Sequence, residues 1–446
     1  MLLVHTRTQH PVGQGFFHSA NLIRDDFNFR YVYDCGAMSK YSKDRSAAIQ
    51  AYIASPENKG TLDVLFLSHA HADHINGVRE LLSKLNVDTI VLPLLSPQDR
   101  LLAFARSLAE DPGLITDSFY LNFITNPETA LAEFSPRQIL SIKAGPPGEG
   151  APGSDGEGIG PIEGAGEGGG TPLSPEGRRP QWRLVGKGDA EDLRTVATAS
   201  GTSVSLSTVP DTMAFALNIA GTKFSWLLAP YIEPEITKQR SKFLNSLKSN
   251  GIDEQTLADP AKLATILKEK DKIQILVKAY KDVSSNLNIS SLCLYSGPAQ
   301  PFRHARILYR GYVNQRCWLG KFRCQRVGWL GTGDAELQRQ MRITNFVSHY
   351  GKYLESVATL TLPHHGSDRN TGSGLLDKVS PCLGVASADI YSTWRHPGTR
   401  VMQLLASRGI PMALATSKSA SKIEEEYIFF NKTEQGFCSK DGWRVA

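Results

Sequence analysis

Apolar positions along this chain fall into two patterns that alternate. Short runs rich in β-branched and aromatic residues, bounded by Gly, Pro, Asn or Asp, predict strands; longer stretches with 3.6-residue spacing predict helices. The first pattern covers the N-terminus, Tyr31-Val32-Tyr33, Leu62 to Leu67, Thr89 to Pro93, Gln181 to Val185, Ser203 to Leu206, Met213 to Ile219, Lys223 to Leu228, Val327 to Leu330 and Val357 to Leu362. Val78 to Leu85 and Thr399 to Ala406 carry the helical pattern, as does Pro97 to Phe134, where Pro112 and Pro127 interrupt it. A helical insertion is expected at 236–283, with Phe243, Leu247, Leu263, Ile266, Ile273 and Leu276 on its apolar face and mixed charges opposite. Residues 144–180 are mostly Gly, Pro, Glu and Ser, a composition with too little to bury, and are expected to be a disordered insertion. No internal repeat is evident. Strands alternating with helices place the chain in the α/β class.

One stretch concentrates chemistry. His69-Ala70-His71-Ala72-Asp73-His74 puts three imidazoles and a carboxylate within six positions, directly after the apolar run that ends at Leu67. The donors therefore leave the C-terminal end of a strand, where loops of layered α/β folds carry their sites. Such a loop can divide its ligands, His69 and His71 to one metal, Asp73 and His74 to a second. Imidazole and carboxylate without thiolate suit Zn²⁺, Mn²⁺ or Fe. Four donors this dense have no ready structural explanation, because unpaired buried polar groups are costly.

Other short motifs follow in order: His10-Pro-Val-Gly-Gln-Gly15, Tyr33-Asp34-Cys35-Gly36, Asn286-Leu-Asn-Ile-Ser-Ser291, Leu330-Gly-Thr-Gly-Asp334, Leu362-Pro-His364-His365-Gly366-Ser367 and His396-Pro397. With the His-x-His-x-Asp-His loop, this set resembles the metallo-β-lactamase-fold hydrolases, and in particular the metallo-β-lactamase-like domain of bacterial competence DNA-uptake channel proteins and its free-standing relatives. The resemblance implies an αββα sandwich spanning 1–446, interrupted by the two insertions, with one or two divalent ions, Zn or Mn, at the sandwich edge. It implies that Asp34 orients ligands without binding metal, and that Asp334 bridges the two ions. One of His364 and His365 is expected to complete the second ion's shell; His364 is favoured because neighbours on a strand point to opposite faces. Asp73, His365 and His396 are the candidates for catalytic roles, Asp73 by orienting the nucleophile and the histidines by protonating a leaving group. For His396, metal ligation and phosphate contact stay open beside that role. One departure stands out: many such enzymes add a metal-binding His between the first motif and the bridging Asp, and between His74 and Asp334 this chain has only His304.

Charge changes the picture in one place. The whole chain is only +5, yet Ser296 to Gly333 holds seven cations and no Asp or Glu. Arg303, Arg306, Arg310, Arg316, Lys321 and Arg323 alternate there with Phe302, Tyr309, Tyr312, Trp318 and Phe322, a mixture suited to tracking a nucleic-acid backbone and stacking bases. An edge hairpin protected by its charge, or cations paired with acids elsewhere, is the plainer reading. The segment lies between two strands that bracket the presumed site, which would let its loop rim the pocket.

Composition excludes some classes. At 41% hydrophobic and 21% charged, the chain is ordinary for a soluble globular protein, and no apolar stretch is long enough to cross a bilayer. The N-terminus lacks a signal-peptide pattern. Cys35, Cys293, Cys317, Cys324, Cys382 and Cys438 are scattered without metal-binding spacing, which predicts reduced thiols and a cytoplasmic protein. Together these features point to metal-assisted hydrolysis of a phosphodiester, DNA or RNA, by an activated water. The alternatives are hydrolysis of a small ester, lactone, amide or thioester, and a non-catalytic module carrying a metal.

Overall fold

The computed structural model describes residues 3–25, 27–146, 148–155, 182–198, 201–219, 225–232, 237–283, 291–300, 305–313, 316–317, 326–391 and 394–431. In chain order the strands are β1 Leu3–Gln9, β2 Gly15–Arg24, β3 Phe27–Ala37, β4 Leu62–Phe66, β5 Val87–Pro93, β6 Gln138–Lys143, β7 Trp182–Gly186, β8 Glu191–Ala197, β9 Ser203–Pro210, β10 Met213–Asn218, β11 Ser225–Ile232, β12 Leu292–Pro298, β13 Ala305–Val313, β14 Arg316–Cys317, β15 Gly328–Gly331, β16 Val357–Thr361, β17 Leu383–Ser387, β18 Met412–Ala415 and β19 Ile423–Asn431. One sheet runs β14-β13-β19-β1-β2-β3-β4-β5-β6-β9-β8, the other β18-β17-β16-β15-β12-β11-β10-β7. Neighbours from β3 through β6 to β9 are parallel, as are those from β15 to β18.

Three apolar layers hold the sheets and helices together. Between the sheets lie Leu22, Tyr31, Phe66, Val91, Phe215, Trp226, Leu294 and Trp329. On the outer face of the first sheet, Leu65 and Ile90 meet Ile49, Leu101, Phe104 and Leu276, from helices Ser42–Ala54, Pro97–Glu110 and Lys270–Val283. On the outer face of the second, Leu227 and Leu360 meet Phe346, Leu376 and Leu405, from helices Gln340–Tyr350, Ser373–Val379 and Thr399–Ser407. The order helix, sheet, sheet, helix is the αββα sandwich of the metallo-β-lactamase fold. Parallel strands from both sheets deliver β4, β15, β16 and β17 to one edge by their C-terminal ends, which is where parallel topology gathers functional loops.

Several expectations meet the structure differently. The strand expected at Tyr31-Val32-Tyr33 runs on as β3 to Ala37, and Asp34 sits within it in a bulge with φ +58, where the register slips between Phe17 and His18. Residues 144–146 and 148–155, expected in the disordered insertion, belong to the packed body: Ala151 is buried and its N–H donates to His349 O, while Ser154 O accepts from Lys352 N. Residues 156–180 of that insertion lie outside the described residues. The helical insertion carries helices Thr237–Ser249, Glu254–Ala258, Pro260–Ile266 and Lys270–Val283, and Phe243, Leu247, Leu263 and Leu276 bury against the first sheet's helical layer.

The basic segment also lands elsewhere. It leaves β12 of the second sheet and crosses to the edge of the first, where β13 pairs with β19. Its strands β13 and β14 are thus separated from β4 by β19, β1, β2 and β3. Arg310 pairs with Glu426 at 3.2 Å. Arg306 and Arg316 lie on β13 and β14, while Arg303, Lys321 and Arg323 fall outside the described residues. The expectation of uniformly reduced thiols is also revised: Cys35 and Cys293 are free and buried, but Cys382 is disulfide-bonded, which removes the cysteine argument for a cytoplasmic protein. Among the described residues no helix is long and apolar enough to cross a membrane.

Candidate metal centre

The His loop is short: β4 ends at Phe66, and a four-residue helix, Ala72–Ile75, begins after residues 67–71 and packs against β3. That closeness depends on Gly36, where a Cβ would lie 2.5 Å from the carbonyl carbon of Asp73. A second device fixes the loop from the other side. Ser107 Oγ, on helix Pro97–Glu110, accepts from Ala72 N at 3.2 Å, and Tyr120 Oη donates to Ala70 O at 3.0 Å and to Ser107 Oγ at 2.9 Å.

Two donor groups converge, His69, His74 and Asp334 in one, Asp73, His74 and His365 in the other, with the ligand atoms of each within 4.8 Å of one another. His69 Nε2 lies 3.4 Å from Asp334 Oδ2, His71 Nδ1 3.4 Å from the same oxygen and His74 Nε2 3.4 Å from Asp334 Oδ1. His365 Nε2 lies 3.1 Å from Asp73 Oδ2. The outward nitrogens are held in turn. Asp34 Oδ2 faces His74 Nδ1 at 2.8 Å and accepts from Ser68 Oγ at 2.6 Å, and that hydroxyl lies 2.8 Å from His69 Nδ1. His365 Nδ1 donates to Ser387 O at 2.8 Å. These anchors point Nε2 of three imidazoles inward.

Asp334 follows β15 in a turn made by Gly333, whose φ is +49 and whose missing Cβ leaves room for Ser291 Oγ. That hydroxyl accepts from Asp334 N at 3.1 Å. Residues 286–290, the rest of the Asn/Ser-rich motif, and His304 lie outside the described residues.

His364, the favoured ligand, stands outside both donor groups, although its Nε2 lies 3.6 Å from Asp334 Oδ2. Alternation along a strand does not apply to it, because β16 ends at Thr361 and both His364 and His365 adopt left-handed φ, +49 and +57. Its Nε2 instead accepts from Arg106 Nη2 at 2.9 Å, and its Nδ1 donates to Asn370 Oδ1 at 3.2 Å. His396 is half-buried on its loop, with its ring 5.7 Å from that of His364 and 6.4 Å from that of His365.

Electrostatics match metal ligation. Burial lowers the pKa of His69 and His71, and His364 and His396 are pushed down to about 3 and about 4 for the same first reason. Asp73 and Asp334 resist burial: His74 and His365 around the first, and His364 and His69 around the second, hold both carboxyls below the usual range. His74 is the exception among the imidazoles; burial opposes its protonation, but Asp34 and Asp73 raise its pKa well above 6.5. Neutral imidazoles and ionised carboxylates are the forms that bind a divalent ion. The centre also contains buried atoms that lack any hydrogen-bond partner: His71 Nε2, His74 Nε2 and Asp334 Oδ1. Each such orphan is costly unless something satisfies it, and a cation bound between them would satisfy two of the three, so the donor set fits a divalent metal.

Comparison with known proteins agrees with this geometry. Residues 13–178 match the family model of the metallo-beta-lactamase superfamily. That match implies a metal-dependent hydrolase. The chain is also similar to ComE operon protein 3 of Bacillus subtilis (strain 168), at 27% identity over 84 residues, 19% of this chain and 10% of that protein. The chain thus aligns with about a tenth of that relative's length. The family match includes Asp34 and the His loop but stops before Asp334, His364 and His365, which the fold brings to them.

Motif reading passed over Arg106, Ser107, Tyr120 and Asn370. Arg106 left a faint signal, a cation on a helix face otherwise made of Leu101, Leu102, Ala105 and Leu108, with Glu110 one turn on. Ser107, Tyr120 and Asn370 left none, because their part is played across tertiary contacts.

Proposed function

We propose that this chain is a metal-dependent phosphodiesterase, a nuclease acting on DNA or RNA. The carrying observation is the adjoining pair of donor groups, His69/His74/Asp334 and Asp73/His74/His365, which share His74 and suit two neighbouring ions. Sites of that kind serve phosphoryl transfer, where attacking and leaving oxygens both need charge stabilisation. The resemblance to the competence-type domain, and the similarity to ComE operon protein 3, favour a nucleic acid over a small ester, lactone, amide or thioester.

His69, His71 and Asp334 would hold one ion, and Asp73, His74 and His365 the other, with Zn²⁺ or Mn²⁺ suited to the ligands. Bound there, such ions supply Lewis acidity and an acidified water. The remaining steps belong to the protein. Asp34, Ser68 and the Ser387 carbonyl keep the imidazoles oriented. Asp73 borders the space where a nucleophile would be aligned. His365 has both ring nitrogens engaged, Nδ1 by Ser387 and Nε2 by Asp73, which leaves His396, its ring 5.7 Å from that of His364, as the histidine free to contact the leaving group.

Cleavage of fluorescent single- and double-stranded DNA and RNA, with Mn²⁺, Zn²⁺ or chelator, tests this. Cutting that disappears with chelator and in His69→Ala/His71→Ala and Asp334→Ala proteins is the expected result. Undiminished cutting by those variants overturns the proposal. So does hydrolysis of a small neutral ester by metal-loaded protein that leaves every nucleic acid intact.

A further inference from the structure

Arg106 reaches the centre from helix Pro97–Glu110, a helix with no residue in either donor group. Its guanidinium is buried, with side-chain exposure of 5%. Nε is engaged by Glu110 Oε1 at 3.0 Å, while Nη2 lies 2.9 Å from His364 Nε2 and 3.6 Å from Asp334 Oδ2. His364 is fixed in turn: its Nδ1 donates to Asn370 Oδ1, and Asn370 Nδ2 donates to Asp334 O at 3.0 Å and Ala335 O at 3.3 Å. A neutral acceptor on one side and a carboxylate on the other therefore hold one edge of a permanent cation beside the presumed bridging ligand. A structural ion pair with Glu110 needs none of that apparatus.

We propose that Arg106 binds the anionic oxygen of the substrate, and that His364 is its positioning residue. This deepens the hydrolase reading above and rests on it, because it assigns the substrate class as a phosphoryl anion instead of a neutral acyl group. The charge pattern supports it. Glu110 engages Arg106 at Nε and leaves its Nη2 to the centre, and two divalent ions, if both were held, would outweigh the carboxylates of Asp34, Asp73 and Asp334, an excess that an incoming anion would offset. Guanidinium and phosphate also match in shape, since two N–H groups can meet two oxygens. It further gives each of the two adjacent histidines after β16 a part: His365 joins a donor group, and His364 sits between Arg106 and Asp334.

The test uses the full chain loaded with Mn²⁺, in wild type, Arg106→Gln, Arg106→Lys and His364→Ala forms. Metal content is measured first, then binding of inorganic phosphate by calorimetry, then turnover of bis(p-nitrophenyl) phosphate and of neutral p-nitrophenyl acetate. Arg106→Gln is expected to keep its metal and to bind phosphate about tenfold to a hundredfold more weakly, the effect of losing one charge-assisted contact. Its KM for the phosphodiester rises by more than its turnover of the neutral ester falls. Arg106→Lys, which keeps the charge, recovers part of the phosphate affinity, and His364→Ala loses less than Arg106→Gln. Unchanged phosphate affinity in Arg106→Gln, or loss of metal in both Arg106 variants, overturns the proposal. Wild-type protein that binds phosphate through Arg106 but cuts no nucleic acid would sink the nuclease reading and leave this assignment standing.

Discussion

His364 and His365 differ by one position and face different partners. His365 shares a donor group with Asp73 and His74, whereas His364 is turned to Arg106 and Asn370. Left-handed backbone at both residues, unusual for side chains with a Cβ, produces that divergence. His365→Ala is therefore expected to lower the metal retained after dialysis by about one equivalent, through loss of a ligand. His364→Ala should retain the wild-type amount. Elemental analysis of the two dialysed variants decides it, and equal losses would contradict the assignment. Asp34 shows how a backbone irregularity serves the same centre: a bulge in β3 swings its carboxylate toward His74 and Ser68 while the strand runs on.

At the level of elements, a buried ion pair within the first sheet also reaches across to the second. Arg7 on β1 donates to both Glu425 oxygens on β19, from Nε at 2.7 Å and Nη2 at 3.0 Å. Its Nη1 reaches Val327 O beside β15 at 2.8 Å, and Nη2 reaches Thr359 Oγ1 on β16 at 2.8 Å. Charge buried this deeply is tolerated because every partner is satisfied; an unmatched remainder is not. Arg7→Met should destabilise the protein by about 3 to 5 kcal/mol in urea unfolding, since Glu425 would stay buried alone. Arg7→Met/Glu425→Leu should recover most of that loss. A double variant no more stable than the single one would show that the network acts by more than charge pairing.

For the molecule as a whole, interior histidines set a limit toward acid. Burial pushes His349 down to about 4 despite its hydrogen bond to Pro230 O, and His5 and His10 down to about 3. A histidine lowered in the folded state binds fewer protons there than in the unfolded chain. Stability is therefore greatest above pH 6.5 and falls as pH drops from 6.5 toward 4. For His349 alone the loss between pH 7 and pH 5 is about 2 kcal/mol. His349→Gln should shrink the difference in unfolding midpoint between those two pH values relative to wild type. An unchanged difference would place the acid sensitivity elsewhere.

Local pattern carried a large part of this protein. The His loop after an apolar strand, the helical stretches broken at Pro112 and Pro127, and the αββα class were all legible, because periodicity and proline chemistry act over a few residues. What the pattern hid falls into three kinds. Strand β19 was missed because Glu424-Glu425-Glu426 reads as solvated chain, although Glu425 faces Arg7 inside the sandwich. The place of β13 within the basic segment was not legible because its pairing with β19 joins residues more than a hundred positions apart. That His365, and not the favoured His364, joins Asp73 and His74 in a donor group follows from two left-handed residues, which no alternation rule anticipates. The sequence by itself determined which donors this protein owns and which strand presents the first four. Only the tertiary structure decided which atoms meet, because Arg106, Asp334 and His365 come from separate strands and helices that share one sheet edge only after both sheets have packed.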